Sequence, residues 1–369
     1  MQRPSLRVII SGGGTGGHIF PAIAIANALK KINASTEILF VGANGRMEME
    51  KVPAAGYKIE GLNISGIQRK FSVQNLLLPF KIVQSVLRAR MIIKNFKPDV
   101  AVGVGGYASG PLLFAATGMN IPALIQEQNS FAGITNKLLA KRVNRICVAY
   151  EAMEKYFPSE KIMMTGNPVR ENMVDIEGKR EEALRFFKLV PEKKTILLIG
   201  GSLGARTLNE SIASGLTLLA EKNIQLIWQT GKSFFHKAKE LTAIYSEKGI
   251  GAYDFIQRMD YAYAAADVVI SRAGASSVSE LALVAKPSIL VPSPNVAEDH
   301  QTKNALSLVN KNAAVLVKDG EAASLLISKA IELISNESMK KSLIENIAKL
   351  ALSNSAQVIA EEVYQISGK

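Results

Sequence analysis

Two stretches of this chain hold residue types that can do chemistry at useful spacing. The first is Gly12-Gly13-Gly14-Thr15-Gly16-Gly17-His18, placed between an apolar run and a helical pattern. Glycines let a backbone turn tightly and approach a ligand, and a helix start behind them offers N–H groups and partial positive charge to phosphate. His18 adds an imidazole that titrates near neutral pH, suited to moving a proton. The plainer alternative is a structural histidine bonded to a loop carbonyl. The second stretch runs from Asp267 to Asn304. Arg272-Ala-Gly274 forms a turn, Ser276 or Ser277 can cap a helix, and Ser277-Val-Ser-Glu280 fits the capping-box pattern. In an open α/β sheet ligands sit outside the carboxyl ends of the strands. Ser276, Ser277 and Glu280 come from one strand end, and Asp299 and Gln301 from the next. An ordinary strand–helix–strand unit would show the same pattern.

Apolar runs of strand length precede these groups and must position them. Leu6–Ser11 enters the first glycine turn. Val100–Val104 enters a second, Gly105-Gly106-Tyr107-Ala-Ser109-Gly-Pro111, and Ile121–Gln126 ends in Glu127-Gln-Asn129. The helix after the first turn is expected over Phe20–Lys30, with Pro21 in its first turn. Thr195–Ile199 enters Gly200-Gly-Ser202-Leu-Gly204-Ala-Arg206, a strand–turn–helix half a chain away from its counterpart; strands at Gln225–Gln229 and Ala252–Ile256 follow. The pattern predicts two similar α/β domains joined near Thr165–Arg170. A dinucleotide-binding oxidoreductase is the obvious rival, but it needs an acid at the tip of its second strand. Here Glu37–Val41 ends in Gly42-Ala-Asn-Gly45 with no acid at the tip.

Charge separates the two halves. Residues 1–150 hold 18 Lys+Arg against 6 Asp+Glu, whereas residues 151–369 hold 26 of each, so the whole excess of +12 lies in the first half. Such a half suits nucleic acid, anionic lipid or an anionic substrate. Between Gly61 and Gln126 the only acid is Asp99, and there Phe71, Leu76, Leu77 and Phe80 lie among Arg69, Lys70 and Lys81. An apolar stripe flanked by cations fits an anionic membrane surface; the alternative, for Ile82–Phe96, is a core helix with a solvated basic face. Hydrophobic content of 48% with 21% charged residues suits a globular protein. No apolar run reaches bilayer-spanning length. The first residues lack a signal-peptide pattern, and the single Cys147 excludes an internal disulfide, so a cytoplasmic protein is expected.

The motifs together resemble one family. Ala-Gly-Ala-x-x-Val-Ser-Glu280 followed by Glu298-Asp-His-Gln301-x-x-Asn304-Ala, with GGTGGH, GGYASGP and EQN in this order, is similar to the bacterial MurG-type N-acetylglucosaminyltransferases, over nearly the whole chain. The resemblance implies two Rossmann-like domains facing across a cleft, the GT-B architecture. Residues 1–166 would form the acceptor and membrane-associating domain, with helix 355–369 packing back on it, and residues 167–354 the donor domain. It implies inverting transfer of N-acetylglucosamine from UDP-N-acetylglucosamine to undecaprenyl-diphospho-N-acetylmuramoyl-pentapeptide (lipid I), on the cytoplasmic face of the membrane. No cofactor, metal or nucleic acid is expected; no Asp-x-Asp motif, the usual metal holder of other glycosyltransferase folds, occurs in the sequence. On this resemblance Glu280 binds the uridine ribose, Ala275, Ser276, Ser277, Val278 and Ser279 hold the nucleotide, and Gln301 contacts the sugar. Thr15, Gly16, Gly17, Asn129, Arg170, Ser202 and Ile256 complete the donor set. Gly13, Gly14, Gly105, Gly106, Tyr107 and Ser109 would hold the acceptor diphosphate. His18 is the expected general base and Glu127 its rival. A UDP-N-acetylglucosamine epimerase of the same fold, a transferase with a soluble acceptor, and a basic membrane-binding module are the alternatives.

Overall fold

The computed structural model describes residues 3–64, 78–201 and 204–369. Two compact units form, one of Met1–Arg170 with Ser353–Lys369, the other of Glu171–Leu352. In the first unit seven strands make a sheet: β1 Arg7–Gly12, β2 Glu37–Ala43, β3 Lys58–Leu62, β4 Val100–Gly105, β5 Ala123–Glu127, β6 Arg145–Val148 and β7 Ile162–Met164. Their order is β3-β2-β1-β4-β5-β6-β7, with every pair parallel. The apolar runs are continuous because helices cover both faces of a parallel sheet. Successive side chains leave a strand on opposite faces. Thus Ile9, Leu39, Val41, Ala101 and Ile125 pack with Ala89, Ile92, Leu112 and Leu113. Val8, Ile10, Phe40, Val102 and Leu124 pack with Ile19, Ile25, Leu29 and, from the last helix, Ile359, Val363 and Tyr364. That helix, Ser355–Ser367, is pinned to the same unit by Tyr364 on Thr36 (2.9 Å) and by Arg145 on the buried Glu362 (2.6 Å). Cys147 is buried, and burial with the nearby Glu362 charge pushes its thiol up to about 12.

The second unit repeats the plan with six parallel strands: β8 Thr195–Ile199, β9 Gln225–Gln229, β10 Ile250–Tyr253, β11 Val268–Ser271, β12 Ser288–Leu290 and β13 Val315–Leu316, in the order β10-β9-β8-β11-β12-β13. The expected strand Ala252–Ile256 is displaced toward the amino terminus: β10 ends at Tyr253, and Ile256 lies in the loop beyond it. Trp228, Leu226, Ile196, Leu198 and Ile270 meet Leu208, Ile212, Leu216 and Leu326 in its core.

Both sheets reverse their strand order at one place, between β1 and β4 and between β8 and β11. That is where an open α/β sheet binds ligands. Each glycine turn singled out in the sequence leaves a strand at one of these two places.

Candidate functional site

In the first unit the helix after β1 begins at Gly16, not Phe20, and runs to Ile32. The turn is therefore only Gly13-Gly14-Thr15, and His18 stands in the first helical turn. Pro21, expected in that turn, lies inside the helix, where its ring removes one backbone hydrogen bond. Gly14, Gly105 and Gly106 have φ of 84°, 105° and 90°, a region costly to any other residue. The two turns touch: Gly13 N–H donates to Gly105 O at 3.2 Å, and a side chain on Gly106 would strike the Gly13 backbone. The His18 ring lies over Gly105, whose missing Cβ makes the room.

Nδ1 of His18 is 3.0 Å from the Gly13 carbonyl oxygen. A carbonyl can only accept, so Nδ1 carries the proton in the neutral ring and Nε2 is its basic nitrogen. The structural alternative raised from sequence is thus realised, and it leaves the ring in the tautomer a proton acceptor needs.

Two buried carboxylates tie this end of the sheet together. Glu48, 1% exposed, accepts from Gly14 N–H at 2.8 Å and Ala43 N–H at 3.0 Å. Glu48 was not singled out in the sequence; it opens the helix Glu48–Ala54, beyond the acid-free tip of β2. Glu127, 2% exposed, accepts from the N–H groups of Asn129 and Gly133 and from the amides of Asn129 and Asn136, at 2.8–3.4 Å. Its four acceptor positions are all used by neutral donors. Beside it, Gln126 donates to Asn167 and Asn167 to the Gln128 carbonyl, both at 3.0 Å, which carries order from β5 into the segment ending at Arg170. Arg170 stacks on the Phe20 ring at 4.6 Å. Tyr107 is exposed, with the Arg46 guanidinium 5.9 Å from its ring centre.

Two expectations for an acceptor diphosphate change here. The N–H groups of Gly13 and Gly14 are taken by Gly105 O and Glu48. Ser109 is fully buried, its hydroxyl against Gly103, so its side chain is not presented to a ligand.

In the second unit the helix after β11 is Ala275–Leu283 with Gly274 as N-cap and no side-chain cap. The expected capping box is not formed. Ser277 is the third helical residue, and Glu280, half-buried, accepts from the Tyr263 hydroxyl at 2.9 Å. The first turn of this helix, with Ala275, Ser276 and Ser277, holds no acidic residue to offset the partial positive charge of its start. Val278 is buried in the core, whereas Ser276, Ser277 and Ser279 are half-buried. The turn is tied to its neighbours through the Arg272 side chain and the Ala273 carbonyl. Arg272 donates to Val291 O (3.0 Å) and Pro292 O (3.2 Å) and pairs with Asp319, which also accepts from Thr207 at 3.0 Å. The buried Asn304 donates to Ala273 O at 3.3 Å, and Gln301 accepts from Ser293 N–H at 2.9 Å. Arg272, Asp319 and Asn304 were not singled out as site residues; a charged residue inside an otherwise apolar strand–turn segment is the signal that marks Arg272. Ile256 is buried, 3% exposed, so its side chain is not presented to a ligand. Ser202 lies outside the described residues.

Of the membrane patch, Arg69, Lys70, Phe71, Leu76 and Leu77 also lie outside them. The helix Leu78–Phe96 buries Ala89, Ile92 and Ile93 and carries a second apolar stripe of Phe80, Val83, Leu87 and Met91, 50–71% exposed, beside Lys81 and Arg90. Among the described residues no helix is long and apolar enough to cross a membrane, and no group of three acids, histidines or cysteines could hold a metal ion.

Comparison with known proteins meets this geometry. The profile of the glycosyltransferase family 28 N-terminal domain matches residues 8–148, and that of the family's C-terminal domain residues 195–363. A protein of Parabacteroides distasonis is 56% identical, over 98% of this chain and 99% of its own. One of Phocaeicola vulgatus is 58% identical, over 99% and 97%. Both are named UDP-N-acetylglucosamine–N-acetylmuramyl-(pentapeptide) pyrophosphoryl-undecaprenol N-acetylglucosamine transferase. Among solved structures, Acinetobacter baumannii MurG superposes with a TM-score of 0.79 at 28% identity, covering 98% of this chain and all of that one.

Proposed function

This chain belongs to glycosyltransferase family 28, and from that premise we infer that it transfers N-acetylglucosamine from UDP-N-acetylglucosamine to lipid I, giving lipid II for peptidoglycan synthesis. The observation that carries this reading is full-length identity above half with relatives named for that transfer. An epimerase of the same fold would have no use for the basic apolar face on the first unit.

The second unit holds the donor. Glu280 binds the uridine ribose, and the Ala275–Ser277 helix start meets the diphosphate. Charge develops on the diphosphate as the glycosidic bond breaks, and N–H groups fixed in advance stabilise it without reorganising. Arg170 supplies a cation. In the first unit Thr15, Gly16 and Gly17 supply the N–H groups at that turn, since those of Gly13 and Gly14 are engaged. Gly105, Gly106 and Tyr107 form the wall for the acceptor diphosphate. The acceptor's 4-hydroxyl oxygen attacks the anomeric carbon, its proton passes to His18 Nε2, and the bond to the β-phosphate oxygen breaks to release UDP. One displacement inverts the α-linked donor to a β-1,4 product. Glu127, saturated by neutral donors, positions Asn129 and takes no proton. The exposed stripe Phe80–Met91 with its cations lies on an anionic bilayer, where the acceptor's lipid stays.

Labelled UDP-N-acetylglucosamine incubated with and without lipid I tests this. Label in a β-1,4-disaccharide lipid is the expected result; label appearing in UDP-N-acetylmannosamine, or staying in the donor, contradicts it.

A further inference from the structure

Glu48 and His18 meet on one peptide unit. The carbonyl between Gly13 and Gly14 accepts the His18 Nδ1 proton at 3.0 Å, and the N–H of the same peptide donates to Glu48 Oε2 at 2.8 Å. The second carboxylate oxygen is fixed by Ala43 N–H at 3.0 Å, at the tip of β2. The space for this arm is built in. A Cβ on Gly13 would fall 2.2 Å from Glu48 Oε1, and one on Gly42 would fall 2.6 Å from Glu48 Cγ. With the carboxylate 1% exposed, water does not screen it from the peptide.

We propose that Glu48 is a positioning residue for the transfer reaction, acting on His18 through the Gly13–Gly14 peptide as a carboxylate–peptide–imidazole relay. The proposal rests on the reading of His18 as acceptor base. A carboxylate that accepts from an amide N–H draws electron density toward that amide's oxygen, and chained hydrogen bonds strengthen one another in a dry setting. The Gly13 oxygen becomes a better acceptor for Nδ1–H. This fixes the tautomer, holds the ring over Gly105 and stabilises the imidazolium formed when Nε2 takes a proton. The role is that of the carboxylate behind a catalytic histidine, with a peptide inserted between them. Other ionisable groups brought to this end of the sheet are Arg46 and Tyr107, Arg170 over Phe20, and Glu127 at the end of β5. They are unchanged by a substitution at Glu48 and cancel from the comparison.

The test is Glu48→Gln in the full chain, read two ways. A glutamine offers one carbonyl to two N–H donors and turns its NH₂ group against the other. The chain has three histidines, so imidazole nitrogen resonances are assigned with a His18→Ala control. The wild-type ring should show Nδ1–H, and in Glu48→Gln its titration midpoint should fall by about 0.5–1 pH, with the acidic limb of kcat/KM moving the same way. Turnover should drop about tenfold with KM for the donor unchanged. Glu48→Asp, which keeps the charge on a shorter arm, should recover part of the midpoint. An unchanged tautomer and midpoint in folded Glu48→Gln overturns the relay. A midpoint that moves while the acidic limb stays keeps the relay and removes His18 as the base. If Glu48→Gln does not fold, Gly42→Ala displaces the Glu48 arm without changing charge, and the same fall in midpoint is required of it.

Discussion

The glycine turns of the two units leave equivalent strands of sheets with the same order, yet they are gripped from opposite sides. In the first unit carboxylates hold the N–H groups: Glu48 takes those of Gly14 and Ala43, and Glu127 those of Asn129 and Gly133. In the second unit a cation and amides tie carbonyls at the strand ends: Arg272, from the turn after β11, serves Val291 and Pro292 beyond β12, Asn304 serves Ala273 in the turn itself, and Asn209 serves Thr230 beyond β9. Under the proposed function, the buried Glu48 carboxylate behind the first turn places negative charge where His18 would become an imidazolium. In the second unit the helix start after β11 holds no acidic residue in its first turn, which under the proposed function suits a nucleoside diphosphate. On that reading one architecture serves two chemistries by exchanging the sign of the charged groups behind the loop.

The contrast can be broken most sharply at His18. His18→Ala should lower turnover by about 10²–10⁴-fold and abolish the acidic limb of the pH–rate profile, because a neutral imidazole is no longer required. Steady-state kinetics across pH would show it; a loss below tenfold would assign His18 to structure alone. Next in size is Arg272→Ala. Its side chain is 16% exposed and paired with Asp319, so its removal leaves that carboxylate only the Thr207 hydroxyl and takes the donor from two carbonyls. Urea unfolding of the second unit should be destabilised by about 3–5 kcal/mol.

Alkali sharpens the comparison in a different way. Lys286 in the second unit is lowered from 10.5 to about 8 by burial and the nearby Arg180. Between those values the unfolded chain holds more protons than the native one, so stability should rise with pH, by about 1–3 kcal/mol. Cys147 in the first unit is raised from 9.0 to about 12. There the native state holds the extra proton, so its contribution is complete below 9.0 and lost as pH climbs toward 12. Unfolding of each unit followed against Lys286→Met and Cys147→Ala controls should move in opposite directions. The smallest expected effect is that of a chelator: under the proposed function helix starts and Arg170 would do the work a metal does elsewhere, so transfer should persist in EDTA. Loss in EDTA restored by magnesium would mean the diphosphate is held otherwise.

Much of this was legible in the sequence because it is local. An apolar run of five residues ending in glycines marks a buried parallel strand and its turn, and Thr195–Ile199 and Gln225–Gln229 are found at those residues. What depends on distant partners was not. Glu48, in Met-Glu-Met-Glu, carries no local signal, and its role appears only when a backbone N–H 34 residues away comes within 2.8 Å. The capping box at Ser277-Val-Ser-Glu280 satisfies a local pattern, but the helix starts two residues earlier, at Ala275, and Tyr263 claims the glutamate. Ser109 looks like a ligand-facing hydroxyl by position, yet Gly103 leaves a hole that draws it inward.

The division of labour between the two turns is tested most directly by calorimetry of UDP binding to three forms of the full chain: wild type, His18→Ala and Glu280→Ala. Glu280→Ala should lose about 1–3 kcal/mol of affinity, the scale of a lost hydrogen bond to a charged group, while His18→Ala binds UDP like the wild type. Unchanged affinity in a folded Glu280→Ala, or loss of UDP binding in His18→Ala, would contradict the account.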